Sequence, residues 1–349
     1  MSPTRPDSVA TPASRIAHAT IHDVARVAGV SVASVSRVFN GHANVHPDAR
    51  QRVLAAAEAL GYVPHAGARS LSMARTHAVG VVIPDLHGEF FSEIVRGMDR
   101  EAGRRGYHLL LSNMHADAEQ AAQAMRSMRG RVDGMIVMAP GLDPQTVEAV
   151  LPVGIPAVLI ASPNAGTRSA VAIDNRAGVE AVVAHLVATG RRALVHVAGP
   201  EGNIDATERR EAFVDALARH LPGTPPRIIQ GSFFQEAGEG AAHELLASGE
   251  AFDAIVAAND MVALGALHVL REAGVDVPGR VAVAGFDDVP LARFLSLTTV
   301  QVGIDEIGGR AMTRLFDDIE GKASDMMIDM ITPRLIVRAT TGTATEPQA

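Results

Sequence analysis

The sequence predicts two structural classes in one chain, a small all-α domain followed by a larger α/β core of two doubly wound lobes. Residues 20–61 contain three short helical segments that end at glycine or asparagine, and from residue 78 short apolar runs alternate with longer amphipathic segments. A chain of 349 residues that is 47% hydrophobic is also long enough to bury more than one core.

Three short helices are predicted after residues 1–19, which are rich in Pro, Ser and Thr and are expected to form a flexible tail. Thr20 begins the first helix, Gly29 ends it, and Ser31 begins the second after a three-residue turn. This is the pattern of a helix-turn-helix, in which the locking residues would be Ala25, Val30 and Val35. A third helix is expected to begin at Pro47, with an apolar face of Val53, Leu54, Ala57 and Leu60.

The second helix carries the side chains that we expect to face DNA. Arg37 is the main base-reading candidate, because a guanidinium can bind guanine in bidentate fashion with about 1–3 kcal/mol of discrimination. Val32 or Ala33 could contact a thymine methyl group. The expected DNA contacts in this domain are Thr20, Ser31, Val32, Ala33, Ser34, Ser36, Arg37 and Asn40. A three-helix cap without a nucleic-acid partner is the alternative interpretation.

The charge distribution suits phosphate binding by the N-terminal part alone. The whole chain has a net charge of −8, but residues 1–77 hold eight Arg and four acidic residues, which gives 8 − 4 = +4. The remainder holds 23 basic and 35 acidic residues, which gives 23 − 35 = −12. Since DNA phosphates attract positive charge, the N-terminal domain is the part expected to bind DNA.

From residue 78 the pattern is that of parallel sheets. The strands are apolar enough to be buried on both faces and alternate with helices, and about 260 residues of this pattern suit two doubly wound lobes. The predicted strands are Val79–Ile83, Tyr107–Leu111, Gly134–Met138, Ala157–Ile160, Leu194–Val197, Ala254–Ala257 and Val281–Ala284.

Composition and missing motifs exclude several classes of protein. The chain has no cysteine, which excludes disulfides, thiolate metal sites and thiol nucleophiles. It has no run of roughly 18 apolar residues and no recognisable export signal, so we expect a cytoplasmic location. It also lacks a phosphate loop and a complete GxGxxG motif, and His42 and His46 have no evident third metal ligand. We expect no cofactor, no metal and no catalytic site.

Seven sequence motifs, in the same order along the chain, resemble those of a known family. Between Thr20 and about Thr341 the chain contains TIHDVARVAGVS, VSRVFN, GYVPHAGARSL, PDLHGEFFSEIVRG, VAANDMVALGAL, VAVAGFDD and PRLIVRATT. In these motifs it resembles the lactose/galactose-repressor (LacI/GalR) family. The resemblance implies a transcriptional regulator, expected to be a repressor, with a periplasmic-binding-protein-like core. It implies three partners, which are near-palindromic operator DNA, a small effector such as a sugar, and a second copy of the chain in a homodimer.

The resemblance also sets the expected domain boundaries, which are 20–65 for the helix-turn-helix domain, 66–77 for a hinge helix and linker, 78–341 for the effector-binding and dimerisation domain, and 342–349 for a C-terminal tail. Within the hinge it implies that Leu71 wedges into the minor groove and that Arg69 and Ser72 also contact DNA. Leu71 could alternatively be an ordinary linker residue. Gly67 departs from the family pattern, and glycine lowers helix propensity by about 1 kcal/mol.

The resemblance places the effector between the lobes, at the carboxyl ends of the strands, which is where ligands bind to parallel sheets. Arg209 matches the family's ligand-clamping arginine, and Asp287 matches the acidic residue on the opposite side. The other expected contacts are Asp85, Phe90, Phe91, Asn203, Asp205, Phe233, Asn259 and Asp260. Taken alone, Phe90 and Phe91 would suit a core, and each carboxylate would suit a helix cap or a surface ion pair. Together the set suits a polyhydroxylated ligand.

Two other functions are compatible with the two-lobed core. A sugar-binding transport receptor would have the same lobes, but it predicts an export signal and no DNA-binding domain, and this sequence shows the reverse. An enzyme is the weaker alternative, because the acidic residues near the crevice accompany no nucleophile with a base at a recognisable spacing.

Overall fold

The chain divides into two units, residues 1–76 and residues 77–349. The structure is a computed structural model and describes residues 19–42, 44–63, 75–86, 88–114, 117–142, 144–161, 168–322 and 328–342. No helix within these ranges is long and apolar enough to cross a lipid bilayer.

Local sequence signals set the ends of the helices in the first unit. The Thr20 hydroxyl accepts a hydrogen bond from the Asp23 backbone N–H, and the Asp23 carboxylate accepts one from the Thr20 N–H, which completes a capping box. Gly29 ends the first helix in the left-handed conformation (φ 63°), and the Ser31 hydroxyl caps the second. The helices are α1 (Ile21–Ala28), α2 (Val32–Phe39) and α3 (Pro47–Ala59).

The core of the first unit confirms the predicted helix-turn-helix packing. Ala25 and Val35 are buried, and Val30 packs against the same cluster. The prediction that Leu54 lies on the buried face of α3 is wrong, because its side chain is 49% exposed. Successive helical residues are rotated by about 100°, which carries Leu54 away from the buried stripe. That stripe is formed by Val53, Ala56 and Ala57.

The second unit alternates strands and helices along the chain. Its strands are β1 (Ala78–Ile83), β2 (His108–Asn113), β3 (Gly134–Met138), β4 (Ala157–Ile160), β5 (Ser169–Ile173), β6 (Leu194–Val197), β7 (Arg227–Ile229), β8 (Ala254–Ala257), β9 (Ala282–Ala284), β10 (Thr299–Gln301), β11 (Ile328–Ile331) and β12 (Arg334–Ile336). Its helices are α4 (Glu89–Arg104), α5 (Ala118–Ser127), α6 (Pro144–Val150), α7 (Asn175–Ala188), α8 (Ile204–His220), α9 (Gln235–Ser248), α10 (Asp260–Glu272), α11 (Pro290–Phe294) and α12 (Ile304–Ile319).

Two parallel sheets organise the second unit and confirm the two doubly wound lobes. The first lobe has the strand order β11-β5-β4-β3-β1-β2, and the second has the order β7-β6-β8-β9. A separate antiparallel pair joins β10 to β12. The chain crosses between the lobes after Ile173, after Gln301 and after Ile331. The first and third crossings touch each other, since the Asp174 N–H donates to the Ile331 carbonyl over 3.0 Å.

The predicted strands correspond to β1–β4, β6, β8 and β9, whereas β5, β7 and the strands from β10 onward are additional. The expectation of burial on both faces is wrong for β2. Within the described parts of the chain this strand pairs with β1 alone, at the edge of its sheet, and Leu110 and Leu111 are 39% and 45% exposed. An edge position therefore explains the exposure of an apolar strand.

Helices α4 and α12 of the first lobe approach closely because glycines lie at their contact. A Cβ atom added to Gly97 would lie 1.9 Å from the Asp305 carbonyl oxygen. A Cβ atom on Gly308 would lie 2.1 Å from the Ile94 carbonyl oxygen, whereas one on Gly309 would meet nothing closer than 3.9 Å. The first two glycines are therefore required by the packing, and the third is not.

Candidate DNA-binding and effector-binding sites

Helix α2 presents some of the predicted DNA-contacting side chains more openly than others. Ala33 and Arg37 are exposed, whereas Ser36 is half-buried and accepts a hydrogen bond from the Asn40 side-chain amide over 3.3 Å. Val32 packs partly against the core of the first unit, so it offers less surface than the sequence suggests. The geometry therefore favours Arg37 as the directional contact.

Three other predicted residues of this unit act at helix starts. Thr20 and Ser31 are exposed, and their hydroxyls cap α1 and α2. Ser34 donates its backbone N–H to the Ser31 hydroxyl, and the two hydroxyls lie 2.9 Å apart. The hinge residues Arg69, Leu71 and Ser72 lie outside the described residues, so their DNA contacts stay predictions.

The two lobes of the second unit meet at the carboxyl ends of their parallel strands. The Ile204 N–H, after β6 in the second lobe, donates to the Pro140 carbonyl, after β3 in the first, over 2.9 Å. The Leu291 N–H, after β9, donates to the Glu89 carboxylate, after β1, over 2.9 Å. Both bonds join segments that follow the carboxyl ends of strands, mostly the starts of the next helices, and this is where the sequence places the effector.

Arg209 on α8 lies at the carboxyl end of the second-lobe sheet, next to the residue that follows β8, and is 3% exposed. Its Nε donates to the Asn175 Oδ1 over 2.8 Å, and its Nη1 donates to the Ala258 carbonyl over 2.7 Å. The guanidinium carbon lies 3.8 Å from the centroid of the Phe286 ring and 5.9 Å from that of Phe233. These contacts fix the guanidinium plane, as a ligand clamp requires.

Asn175 connects Arg209 to two carboxylates. Its amide nitrogen donates to Asp205 Oδ1 over 2.9 Å and to Glu208 Oε2 over 2.8 Å. Burial raises the pKa of Glu208, and the nearby charge of Asp205 raises it further, whereas the hydrogen bond from Asn175 opposes these effects. Sequence analysis predicted Arg209 and Asp205 but missed Asn175 and Glu208.

Asp287 is buried, conformationally strained and short of a hydrogen-bond partner. It is 4% exposed, and its φ of 109° is one that residues other than glycine rarely adopt. Its Oδ1 lies 3.5 Å from Arg209 Nη2, too far for a well-formed hydrogen bond, and has no other partner within the described residues. Burial raises the pKa of this carboxyl from 3.8 to about 7, against the lowering effect of the Arg209 charge. Strain and an open acceptor are typical of a ligand site.

The predicted residues Asn259 and Asp260 use their side chains inside the second lobe. The Asn259 Oδ1 accepts from the Val262 N–H, and its Nδ2 donates to the Phe233 carbonyl over 3.1 Å. Asp260 is fully buried and accepts hydrogen bonds from the Val289 N–H and the Thr299 hydroxyl. Burial, reinforced by the Asp287 charge, raises the pKa of Asp260 well above its usual value. Both residues hold the walls of the crevice.

The remaining predicted residues are less deeply placed. Asn203 caps α8 through its Oδ1, which accepts from the Ala206 N–H over 3.1 Å. Phe90 and Phe91 are half-buried, stand edge to face with ring centroids 5.5 Å apart, and pack against the core. The Asp85 Oδ1 accepts a hydrogen bond from the next residue's N–H. The two aromatic side chains therefore fill a core role in this structure, as one of the alternatives anticipated. Among the described residues, no three His, Cys, Asp or Glu side chains form a group that could hold a metal ion.

Comparison with known proteins identifies the family. Residues 20–65 match the family described as bacterial regulatory proteins, lacI family, and residues 76–339 match the periplasmic binding proteins and sugar binding domain of LacI family. The chain belongs to the LacI family. It is therefore a DNA-binding transcriptional regulator with a periplasmic-binding-protein-like core, and the resemblance seen in the sequence is confirmed.

Individual members of the LacI family align with nearly the whole chain. Catabolite control protein A of Priestia megaterium is 33% identical over 92% of this chain and 99% of its own length. The HTH-type transcriptional regulator GalR of Salmonella typhimurium is 34% identical over 94% of this chain and 97% of its own. Among solved structures, the lac repressor dimer bound to operator and the anti-inducer ONPF is 28% identical, with a TM-score of 0.84 over 93% of this chain and 99% of that chain.

Proposed function

We propose that this LacI-family regulator is a homodimeric transcriptional repressor that binds a near-palindromic operator and is controlled by a sugar or sugar derivative held between its two lobes. The observation that carries the proposal is the buried Arg209–Asp287 pair beside the crevice, in a chain whose first unit is a helix-turn-helix. A protein of this architecture couples a ligand site to a DNA-binding unit, and a coupling of about 1–3 kcal/mol is typical.

In the proposed DNA complex, α2 enters the major groove and Arg37 reads a base. The residues that contact DNA would be Thr20, Ser31, Ala33, Ser34, Ser36, Arg37 and Asn40, with Val32 contributing its exposed edge. The DNA-binding domain would comprise residues 20–65, joined by residues 66–77 to a two-lobed domain of residues 78–341. The dimeric lac repressor on its operator supports this arrangement.

Exposed apolar side chains in the second unit support self-association. Phe294 on α11 is 72% exposed, and Leu291 on the same helix is 37% exposed. On β2, Leu110 and Leu111 are exposed at the edge of a sheet. Apolar patches of this kind mark protein interfaces, and a second copy of this chain is the proposed occupant because the similar lac repressor is a dimer.

The effector would contact Arg209, Asp205, Asn203 and Asp287, with the other predicted crevice residues supporting them. The family description of the core as a sugar binding domain supports this ligand class. The hydroxyls of a sugar both donate and accept hydrogen bonds, so they suit the open Asp287 oxygen and the Arg209 N–H groups. We propose that the protein binds this effector without converting it, and that it acts in the cytoplasm because its operator is bacterial chromosomal DNA.

A gel-shift assay with paired variants tests the assignment. Arg37→Ala should lose operator preference, so that specific and nonspecific duplexes bind with similar affinity, while sugar binding is retained. Arg52→Ala on α3 is the matched control, because removal of an exposed charge should weaken both duplexes alike. Arg209→Ala should bind operator but no longer respond to the effector. Retention of operator preference by Arg37→Ala would contradict the base-reading role.

A further inference from the structure

Three carboxyl groups lie around the Arg209 guanidinium, one directly and two through Asn175. We propose that the effector is an uncharged polyhydroxylated compound, and that Asp205 and Glu208 exclude its phosphorylated and carboxylated forms. The inference rests on the proposed function, because it concerns the ligand of the same crevice.

The first step is the limited donor capacity of Arg209. An arginine has five N–H donors. The Nε donor and one Nη1 donor are committed to Asn175 and the Ala258 carbonyl, and the Nη2 group faces Asp287. An anion that binds the remaining Nη1 and Nη2 donors would therefore lie next to the Asp287 carboxyl group. The donor capacity that remains suits single hydroxyl acceptors.

The second step is the arrangement of carboxylates around this one guanidinium. Asp205 is 8% exposed and Glu208 is half-buried, and both are held by the same Asn175 amide nitrogen. Asp287 adds a third carboxyl group on the other side of Arg209. Because the Asp205 charge already opposes ionisation of both Glu208 and Asp287 and so raises the pKa of each, a further anion would meet the same repulsion.

A neighbouring arginine does not neutralise the carboxyl groups that Asn175 holds. Arg176, which follows Asn175 in the sequence, donates to Glu211 over 2.6 Å and to Asp215 over 2.8 Å. Its charge is shared with two exposed carboxylates on α8. The part of the crevice around Asn175 therefore remains rich in hydrogen-bond acceptors.

These observations favour a neutral ligand over an anionic one. Hydroxyl groups donate to carboxylates and accept from Arg209 Nη2, so a polyol satisfies both kinds of group. A phosphate about 5 Å from Asp205 or Glu208 would meet like charges, which at the effective dielectric of a protein site weakens binding by at least about 100-fold.

Matched pairs of sugars test the proposal on the full-length protein. Thermal shift and calorimetry would compare glucose with glucose 6-phosphate and glucuronate, galactose with galactose 1-phosphate, and ribose with ribose 5-phosphate, within a wider panel of neutral monosaccharides, disaccharides and nucleosides. We expect a neutral sugar to bind, and its phosphorylated form to bind at least about 100-fold more weakly. Tighter binding of the phosphorylated or carboxylated form would overturn the inference and leave DNA regulation by an effector intact.

A pair of variants separates local charge from net charge. Glu208→Gln keeps an acceptor for Asn175 and should reduce the neutral-to-phosphate preference by about tenfold. Glu272→Gln removes one charge from an exposed position on α10 and should leave the preference unchanged. An unchanged preference in Glu208→Gln would also overturn the inference. If no member of the panel binds to the wild type, sugar sensing itself is contradicted and the inference falls with it.

Discussion

Replacement of Asp287 by asparagine should stabilise the protein increasingly as the pH rises. The carboxyl group has a pKa of about 7 in the folded protein and 3.8 in the unfolded chain, so between these values the folded state holds a proton that the unfolded state has released. The protonated Asp287 carboxyl group therefore stabilises the folded wild type at low pH, and this stabilisation is lost as the pH rises to 7. From about pH 5 to pH 7 this loss amounts to about 3 kcal/mol, at 1.36 kcal/mol for each pH unit.

Asp287→Asn cannot ionise, and asparagine tolerates a positive φ, so the variant should keep that stability. The difference in free energy of unfolding between the variant and the wild type, here called the gap, should grow by about 3 kcal/mol between about pH 5 and pH 8. This corresponds to about 6–10 °C in Tm. Urea unfolding at several pH values measures the gap without effector. Asp215→Asn, at an exposed position on α8, is the control for the loss of one carboxylate outside the buried site. A gap for Asp287→Asn that does not change with pH would refute the reasoning.

Three further predictions concern packing, titration and lobe closure. Gly97→Ala should lower the free energy of unfolding by about 1–3 kcal/mol in urea, because its methyl group would overlap a carbonyl of α12. Gly309→Ala should be neutral or stabilising. Equal losses in the two variants would contradict the packing argument. Burial lowers the pKa of His196 to about 4, so as the pH falls from about 6.5 to 4 the unfolded chain takes up a proton that the folded protein does not. The free energy of unfolding of the wild type should therefore fall by about 3 kcal/mol over this range, whereas that of His196→Phe should not. Parallel pH profiles of the two proteins would disprove this. Glu89→Ala removes a hydrogen bond between the lobes and should weaken effector binding by roughly fivefold in calorimetry. Glu93→Ala, on the same helix, should leave the affinity unchanged. Equal affinities of the two variants would show that the bond does not hold the lobes closed.

The features that the sequence predicts best are those set by neighbouring residues. Thr20, Ser31 and Gly29 act at helix ends because capping depends on side chains and backbone groups within four positions. The exposure of Leu110 could not be predicted in the same way. Whether an apolar strand is central or at an edge depends on the order of strands in the sheet, which no single segment contains.

The candidate site shows the same division between local and distant information. Family resemblance located Arg209 and Asp287, which the fold brings to 3.5 Å. Asn175 was missed because its role depends on partners 30 to 34 positions away. A signal was present, since the segment SAVAIDN has an apolar run followed by Asp and Asn, much as AIVAAND does around Asn259. Very short strands such as β7, with three residues, carry no such pattern.

The three passages of the chain between the lobes have a consequence for synthesis. The first lobe receives α12 and the edge strand β11 only after β6–β9 of the second lobe have been synthesised. The second lobe receives β12 and the Thr340 carbonyl, which accepts from the Val283 N–H, later still. Neither lobe can therefore fold completely before most of the other has been synthesised. A nascent chain exposes unfinished edges of both sheets until residues 328–340 have been synthesised, and truncation before residue 328 should damage both lobes together rather than shorten one.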